Sequence, residues 1–384
     1  MKPAEMKPAE MKPEWHSAKR IIIKIGSSLL IDERGLLKDE WLSSLIADIA
    51  KLSGEGREIV LVSSGAIGLG RKQLGLAAGV LKLEESQAAA SVGQITLAHA
   101  YEERLKAHDL IAAQVLVTLG DTEERRRYLN ARGTISTLLK IGTVPVVNEN
   151  DTVATSEIRF GDNDRLAARV ASMMTADLLV LLSDIDGLYS KPPQKEGRAG
   201  EGGEHLSEIV EITPEIEAMA GSVGSDYGSG GMTTKILAAK IATKAGVPML
   251  IASGQDFNPV RTLFDGGRHT WFHAHGNPVT SRKRWIAGGL ESCGELMIDE
   301  GAAKALQSGK SLLPAGITGL SGDFLRGDVV VIRDPEGQEV ARGLCAYGVE
   351  DAVKIIGRHS KEIYALLGYQ GRAAMIHRDD MVLL

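Results

Sequence analysis

Two textures of hydrophobic and polar positions divide this chain. Up to about residue 275, short β-branched and aliphatic runs alternate with stretches whose apolar residues recur every three or four positions. The runs at 21–25, 58–62, 114–117, 144–147, 178–182 and 248–251 read as strands, and the last of them closes this half. The periodic stretches at 38–51, 86–106 and 123–140 read as helices; in the first, Leu42, Leu45, Ile46 and Ile49 share one face. Short, continuously apolar strands separated by helices predict an α/β domain, with a mostly parallel sheet sandwiched by helices. From about residue 290 the pattern changes to Gly, Asp and hairpin-like runs, such as 328–333 and 339–346 about a Pro335-Glu336-Gly337 turn. That predicts a small β-rich second domain over 290–384, joined to a domain over 18–275 by a linker at 276–289. Residues 1–17 carry a charged, Pro-rich pentamer repeat without an apolar core, and read as a disordered tail.

Composition narrows the function classes. A chain of 384 residues fits two domains, and 43% hydrophobic with 24% charged residues is ordinary for a globular protein. The formal net charge of −6 disfavours a dedicated nucleic-acid binder. In the 290–384 region ten Lys and Arg face fourteen Asp and Glu, a poor match for a phosphate backbone. Two separated cysteines, Cys293 and Cys345, imply no structural zinc and a reducing, cytoplasmic setting. No apolar run reaches the length of a membrane span. His269, His273 and His275 are spaced like metal ligands, but no carboxylate or cysteine completes a site beside them.

The candidate chemistry lies where strands end and helices begin. The run at 144–147 leads into Asn148-Glu149-Asn150-Asp151, and a second tetrad, Gly161-Asp162-Asn163-Asp164, opens a helical pattern. A helix cap needs one such residue, so the surplus of amides and carboxylates points to a ligand beyond the sheet's carboxyl edge. Lys24 interrupts a buried strand just before Gly26, where an ammonium is costly unless it meets an anion. Ser63-Ser64-Gly65 and Ser183-Asp184 follow two further strands. Residues 224–235 combine glycines and hydroxyls with Lys235 ahead of a helix, a phosphate cradle without a Walker A ending. Two lysines on separate phosphate loops, with acids between them, suit phosphoryl transfer.

Taken together, these pieces resemble the amino acid kinase family. The matching segments are IIIKIGSSLL (21–30), VSSGAIGLG (62–70), QAAASVGQ (87–94), YLNARGT (128–134), VPVVNENDTVAT (144–155), GDND (161–164), LLSDIDGLY (181–189) and GSGGMTTK (228–235). The paired NEND and GDND tetrads match the branch that acts on glutamate rather than relatives acting on aspartate, acetylglutamate or UMP. RKRW (282–285), SLLPAGI (311–317) and HRDDM (377–381) make the C-terminal region resemble a PUA domain. The resemblance implies ATP-dependent phosphorylation of the L-glutamate side-chain carboxylate, with Mg²⁺ as cofactor, proline as feedback inhibitor and a dimeric or tetrameric homo-oligomer. It implies that Lys24 and Lys235 neutralise the transferring group, while Asp162 and Asp164 position lysines, metal or substrate. Ser64, Asn148, Asp151 and Asn163 would bind glutamate. Lys24, Ser183, Asp184, Ser229, Gly230, Gly231, Met232, Thr233, Thr234 and Lys235 would bind ATP; the metal's protein ligands stay open. Where the family often has Thr, this chain has Ser27 and Ser183, which keep the hydroxyl.

Overall fold

A computed structural model describes residues 14–77, 79–154, 162–191, 203–220, 231–276, 278 and 292–384. The repeat of the expected tail, and nearly all of the expected linker with its RKRW segment, lie outside the described residues. The described residues form two compact units. The first draws on Met1–Thr118, Ile135–Thr243 and Val247–Ala274; the second draws on Leu119–Thr134, Lys244–Gly246 and His275–Leu384.

In chain order the first unit's sequence carries β1 (Arg20–Ile25), α1 (Ser27–Leu30), α2 (Asp39–Gly54), β2 (Glu58–Val62), α3 (Ala66–Gln73), α4 (Leu83–Lys106) and β3 (Ile111–Val117). Next in the chain come α5 (Leu119–Glu123), which the periodicity does not predict and which belongs to the second unit, and α6 (Arg125–Lys140), which matches the helix expected at 123–140. They are followed by β4 (Thr143–Glu149), α7 (Asp162–Met173), β5 (Leu178–Ser183), β6 (Leu188–Tyr189), β7 (His205–Leu206) and β8 (Glu208–Ile209). The half closes with α8 (Pro214–Met219), α9 (Met232–Lys244), β9 (Met249–Ser253), α10 (Pro259–Phe264) and β10 (His269–Phe272).

Eight strands form one sheet in the order β3-β4-β2-β1-β5-β9-β10-β8. The first six run parallel, and β10 lies antiparallel to β9. Strand β10 lies beyond the last strand expected from the pattern; its alternating burial leaves only Thr270 and Phe272 inside. β1 is the switch point, with β2 on one side and β5 on the other, so a crevice opens beyond its carboxyl end. The strands are apolar because helices cover both faces: Ile21, Ile23, Leu61, Val180 and Leu250 pack with Leu42, Leu45 and Ile49 of α2.

A five-stranded sheet, β12-β11-β13-β14-β15, organises the second unit. Its strands are β11 (Gly294–Ile298), β12 (Ile317–Gly322), β13 (Val329–Arg333), β14 (Glu339–Leu344) and β15 (Met381–Leu383). Its core contains Leu296, Phe324, Val330, Ile332, Ile355 and Ile376. The segment Leu119–Thr134 belongs to this unit: Leu129 packs with Val329 and Leu344, and Arg132 pairs with buried Asp380 at 2.6 Å.

Candidate active site

The site is assembled at the carboxyl edge of the first unit's sheet. Lys24 is the fifth residue of β1, in register with Val62 of β2 and Leu181 of β5. That register leaves it 6% exposed, so its ammonium needs a buried anion. Asp164, fully buried in the first turn of α7, supplies it, with Oδ1 2.7 Å from Lys24 Nζ. The other oxygen stands 3.5 Å from Lys235 Nζ and accepts a hydrogen bond from Thr234 Oγ1 at 2.8 Å. Thr234 and Lys235 lie in the first turn of α9, so Lys235 is a buried helical residue rather than a loop residue.

One carboxylate thus holds two buried ammoniums, and the group keeps a net positive charge. Burial by itself would raise the Asp164 carboxyl, but Lys24 and Lys235, with hydrogen bonds from Lys24 and Thr234, hold it below the ordinary carboxylate value. Burial lowers Lys235; the pull of Asp164 opposes this and the neighbouring Lys24 reinforces it. The surplus positive charge is directed at whatever anion enters the crevice.

A neutral polar network adjoins this group. Asn163, one residue before Asp164, donates from Nδ2 to Ser63 O at 2.9 Å, Ser64 Oγ at 2.9 Å and Asn148 Oδ1 at 3.2 Å. It therefore ties the start of α7 to the ends of β2 and β4. Asn148 donates in turn to Gln94 Oε1 of α4 at 2.7 Å, and Ser63 Oγ meets Tyr101 OH at 2.9 Å. Asn163 Oδ1 is buried and without a partner among the described residues, an acceptor left over for a donor such as an ammonium. Asp151 follows β4 in a turn; burial without a compensating charge pushes its carboxyl up to about 6.

Backbone geometry presents Ser64 to this network. Gly65, the N-cap of α3, has φ 101°, and a Cβ there would press on Ile31. A Cβ on Gly93 would run into the Ala66 carbonyl and one on Gly70 into the Ala89 carbonyl, so these two glycines let α3 and α4 cross almost backbone to backbone.

At the end of β5, buried Ser183 donates to the exposed Asp184 carboxylate at 2.9 Å, and Gln255 Nε2 donates to Asp184 O at 2.7 Å. β5 lies beside β1, so this corner flanks the lysine group. Gly231 and Thr233 are exposed at the start of α9, where Met232 is half-buried. Ser229, Gly230, Gly161 and the side chain of Asp162 lie outside the described residues.

Lys24, Asp164, Lys235 and Thr234 are therefore in contact as one group, and Ser64, Asn148 and Asn163 as another. Gln94, Tyr101 and Gln255 hold residues of the site in place but were not singled out from the sequence. Gln94 carried a signal, a polar residue among the small ones of the 87–94 segment.

Residues 19–253 match the family model "Amino acid kinase family", and residues 294–367 match "PUA domain". A glutamate 5-kinase of Rhizobium etli (strain CIAT 652) is 60% identical over 95% of this chain and 93% of that protein. The Agrobacterium fabrum glutamate 5-kinase is 60% identical over 96% of this chain and 93% of that protein. Among solved structures, the carbamate kinase from Giardia lamblia bound to AMP-PNP aligns with a TM-score of 0.48 and 20% identity, over 67% of this chain and 99% of that one. With the switch-point lysine, its buried aspartate and the α9 lysine all inside the matched segment, this chain belongs to the amino acid kinase family.

Proposed function

We propose that this chain transfers the γ-phosphoryl group of ATP to the side-chain carboxylate of L-glutamate, giving L-glutamyl 5-phosphate, the first step of proline biosynthesis. The observation that carries this reading is the buried Lys24–Asp164–Lys235 group beside the Asn163–Ser64–Asn148 network. The name and 60% identity of the Rhizobium and Agrobacterium relatives support it.

A carboxylate is already ionised at neutral pH, so no general base is required. The obstacle is its repulsion from the triphosphate. Lys24 and Lys235 offset that repulsion on the migrating group, and Asp164 keeps both ammoniums aimed. Ser64, Asn148, Asp151 and Asn163 bind glutamate, with Asp151 and the free Asn163 oxygen facing its ammonium. Lys24, Ser183, Asp184 and the run from Ser229 to Lys235 hold ATP, and Asp162 assists in positioning.

No cluster of three or more His, Cys, Asp or Glu suited to a metal exists among the described residues. Asp164 is already shared by two lysines, whereas the Asp184 carboxylate is exposed and, among the described residues, accepts only from Ser183. This donor set fits a Mg²⁺ that arrives on the nucleotide and meets Asp184, because Mg²⁺ commonly takes one or two carboxylates besides phosphates. When bound, the ion screens the phosphate charge.

The same reading includes feedback inhibition by proline, a dimeric or tetrameric homo-oligomer, and a cytoplasmic location. No helix among the described residues is long and apolar enough to cross a membrane. It also includes a kinase domain over 18–275 and a PUA-like domain over 290–384 with a structural or regulatory role. ADP release measured against glutamate, aspartate and N-acetylglutamate tests the substrate. Turnover with glutamate is the expected result, and turnover confined to another acceptor would overturn the assignment.

A further inference from the structure

The second unit holds a group of arginines that the phosphoryl-transfer reading does not use. Arg326 is half-buried, and its Nε is enclosed without a hydrogen-bond partner among the described residues. The next residue, Gly327, has φ 97° and sits so close to α6 that a Cβ there would lie 3.2 Å from Arg126 N. Arg372 reaches the same helix, where its Nη2 donates to Leu129 O at 3.3 Å. Tyr347 OH donates to the Arg372 carbonyl, which brings a phenol to the same place. Burial first, then Arg372 and Arg126, holds Arg326 below the usual guanidinium value, and Tyr369 and Tyr347 oppose the shift.

The carboxylates nearby are engaged elsewhere. Asp328 pairs with Arg125 at 3.7 Å. Asp351 accepts from Tyr369 OH at 2.6 Å and pairs with Lys354 at 3.7 Å. By contrast, Arg127 and Arg132 on α6 both have acidic partners. Arg126 and Arg372 are near enough to Arg326 to act on its charge, and none of the three has an ion-pair partner among the described residues, an arrangement that is costly without an anion.

We propose that Arg126, Arg326 and Arg372 form a binding site for the phosphate group of a small anion. Guanidinium forks match phosphate oxygens in pairs, and a compact dianion offsets most of the local charge. A polynucleotide fits less well, because the 290–384 region is acidic in sum and offers no extended basic track.

Isothermal titration of inorganic phosphate and of pyrophosphate into the full chain tests this site, and the same titration of Lys24→Ala separates it from binding at the kinase site. Binding is expected in the parent chain, weakened about tenfold by Arg126→Ala and more by Arg326→Gln. Arg126 is exposed, so its variant decides the matter if Arg326→Gln fails to fold. Absence of binding up to roughly 10 mM phosphate would overturn the site, as would equal affinity in the parent and Arg126→Ala. Salt-sensitive capture of a short single-stranded RNA, lost in the same variants while phosphate gives no heat, would overturn the small-anion assignment.

Discussion

Replacing Asp164 by Asn tests the centre of the site with almost no change of shape. The side chain is fully buried, and the two lysine side chains it serves are 8% and 6% exposed. Asparagine can still accept from Thr234, so what is lost is the charge between two ammoniums. Breaking a buried ionic group by removing one partner costs about 3–5 kcal/mol. That corresponds to a melting temperature lower by roughly 10 °C. The kinetic effect has a direction of its own. Asp164 is the strongest influence keeping Lys235 protonated against burial and the charge of Lys24, so its loss lowers Lys235 further. Catalysis needs the charged lysine, so activity of Asp164→Asn is lost as pH rises through the new Lys235 value and returns as pH falls. In an ADP-release assay with glutamate, kcat at about pH 8 should fall about a hundredfold or more, the scale for losing one transition-state charge stabiliser. A variant with parental kcat and melting temperature would refute the ion group as the catalytic centre. A loss of kcat that persists unchanged at lower pH would refute the Lys235 protonation argument.

Three further perturbations follow from the same geometry. Asp151 is held up to about 6 by burial, and in its proposed role as the anion facing the glutamate ammonium it must be ionised. Glutamate kcat/KM should therefore fall about tenfold per pH unit below that value, and an acid limb unchanged in Asp151→Asn would assign it to another group. Gly93→Ala drives a methyl into the Ala66 carbonyl, so it should cost about 1–3 kcal/mol or more and raise the glutamate KM by shifting Ser64. Unchanged melting and KM would contradict the close α3–α4 crossing. Ending the chain near residue 284 removes the partners of Leu129 and Arg132, so the shortened protein should melt below the full chain. Equal melting in a calorimeter would show that Leu119–Thr134 does not depend on the second unit's sheet.

Single residues and short runs were legible in the sequence, whereas pairings were not. The parallel strands declare themselves because both faces are covered, which forces continuous β-branched runs such as 178–182. The 144–147 run ends the predicted strand two residues too early, because Asn148 and Glu149 look like loop residues. The ladder with Leu116 and Val117 carries β4 through both of them. Lys24 was conspicuous as a lysine inside an apolar run, yet nothing local names its counter-ion 140 positions away. Asp164 reads locally as one more capping residue. Only the switch at β1, which sends β2 and β5 to opposite sides, brings the start of α7 over the Lys24 ammonium. The glycines before Lys235 drew it toward a loop reading, although helix α9 had begun at Met232. The same reasoning applies to residues 125–134, where the amphipathic pattern shows that Leu129 is buried but not against what. A periodic pattern reports the burial of a face; the identity of the partner, and any charge trapped between the two, is a property of the pair.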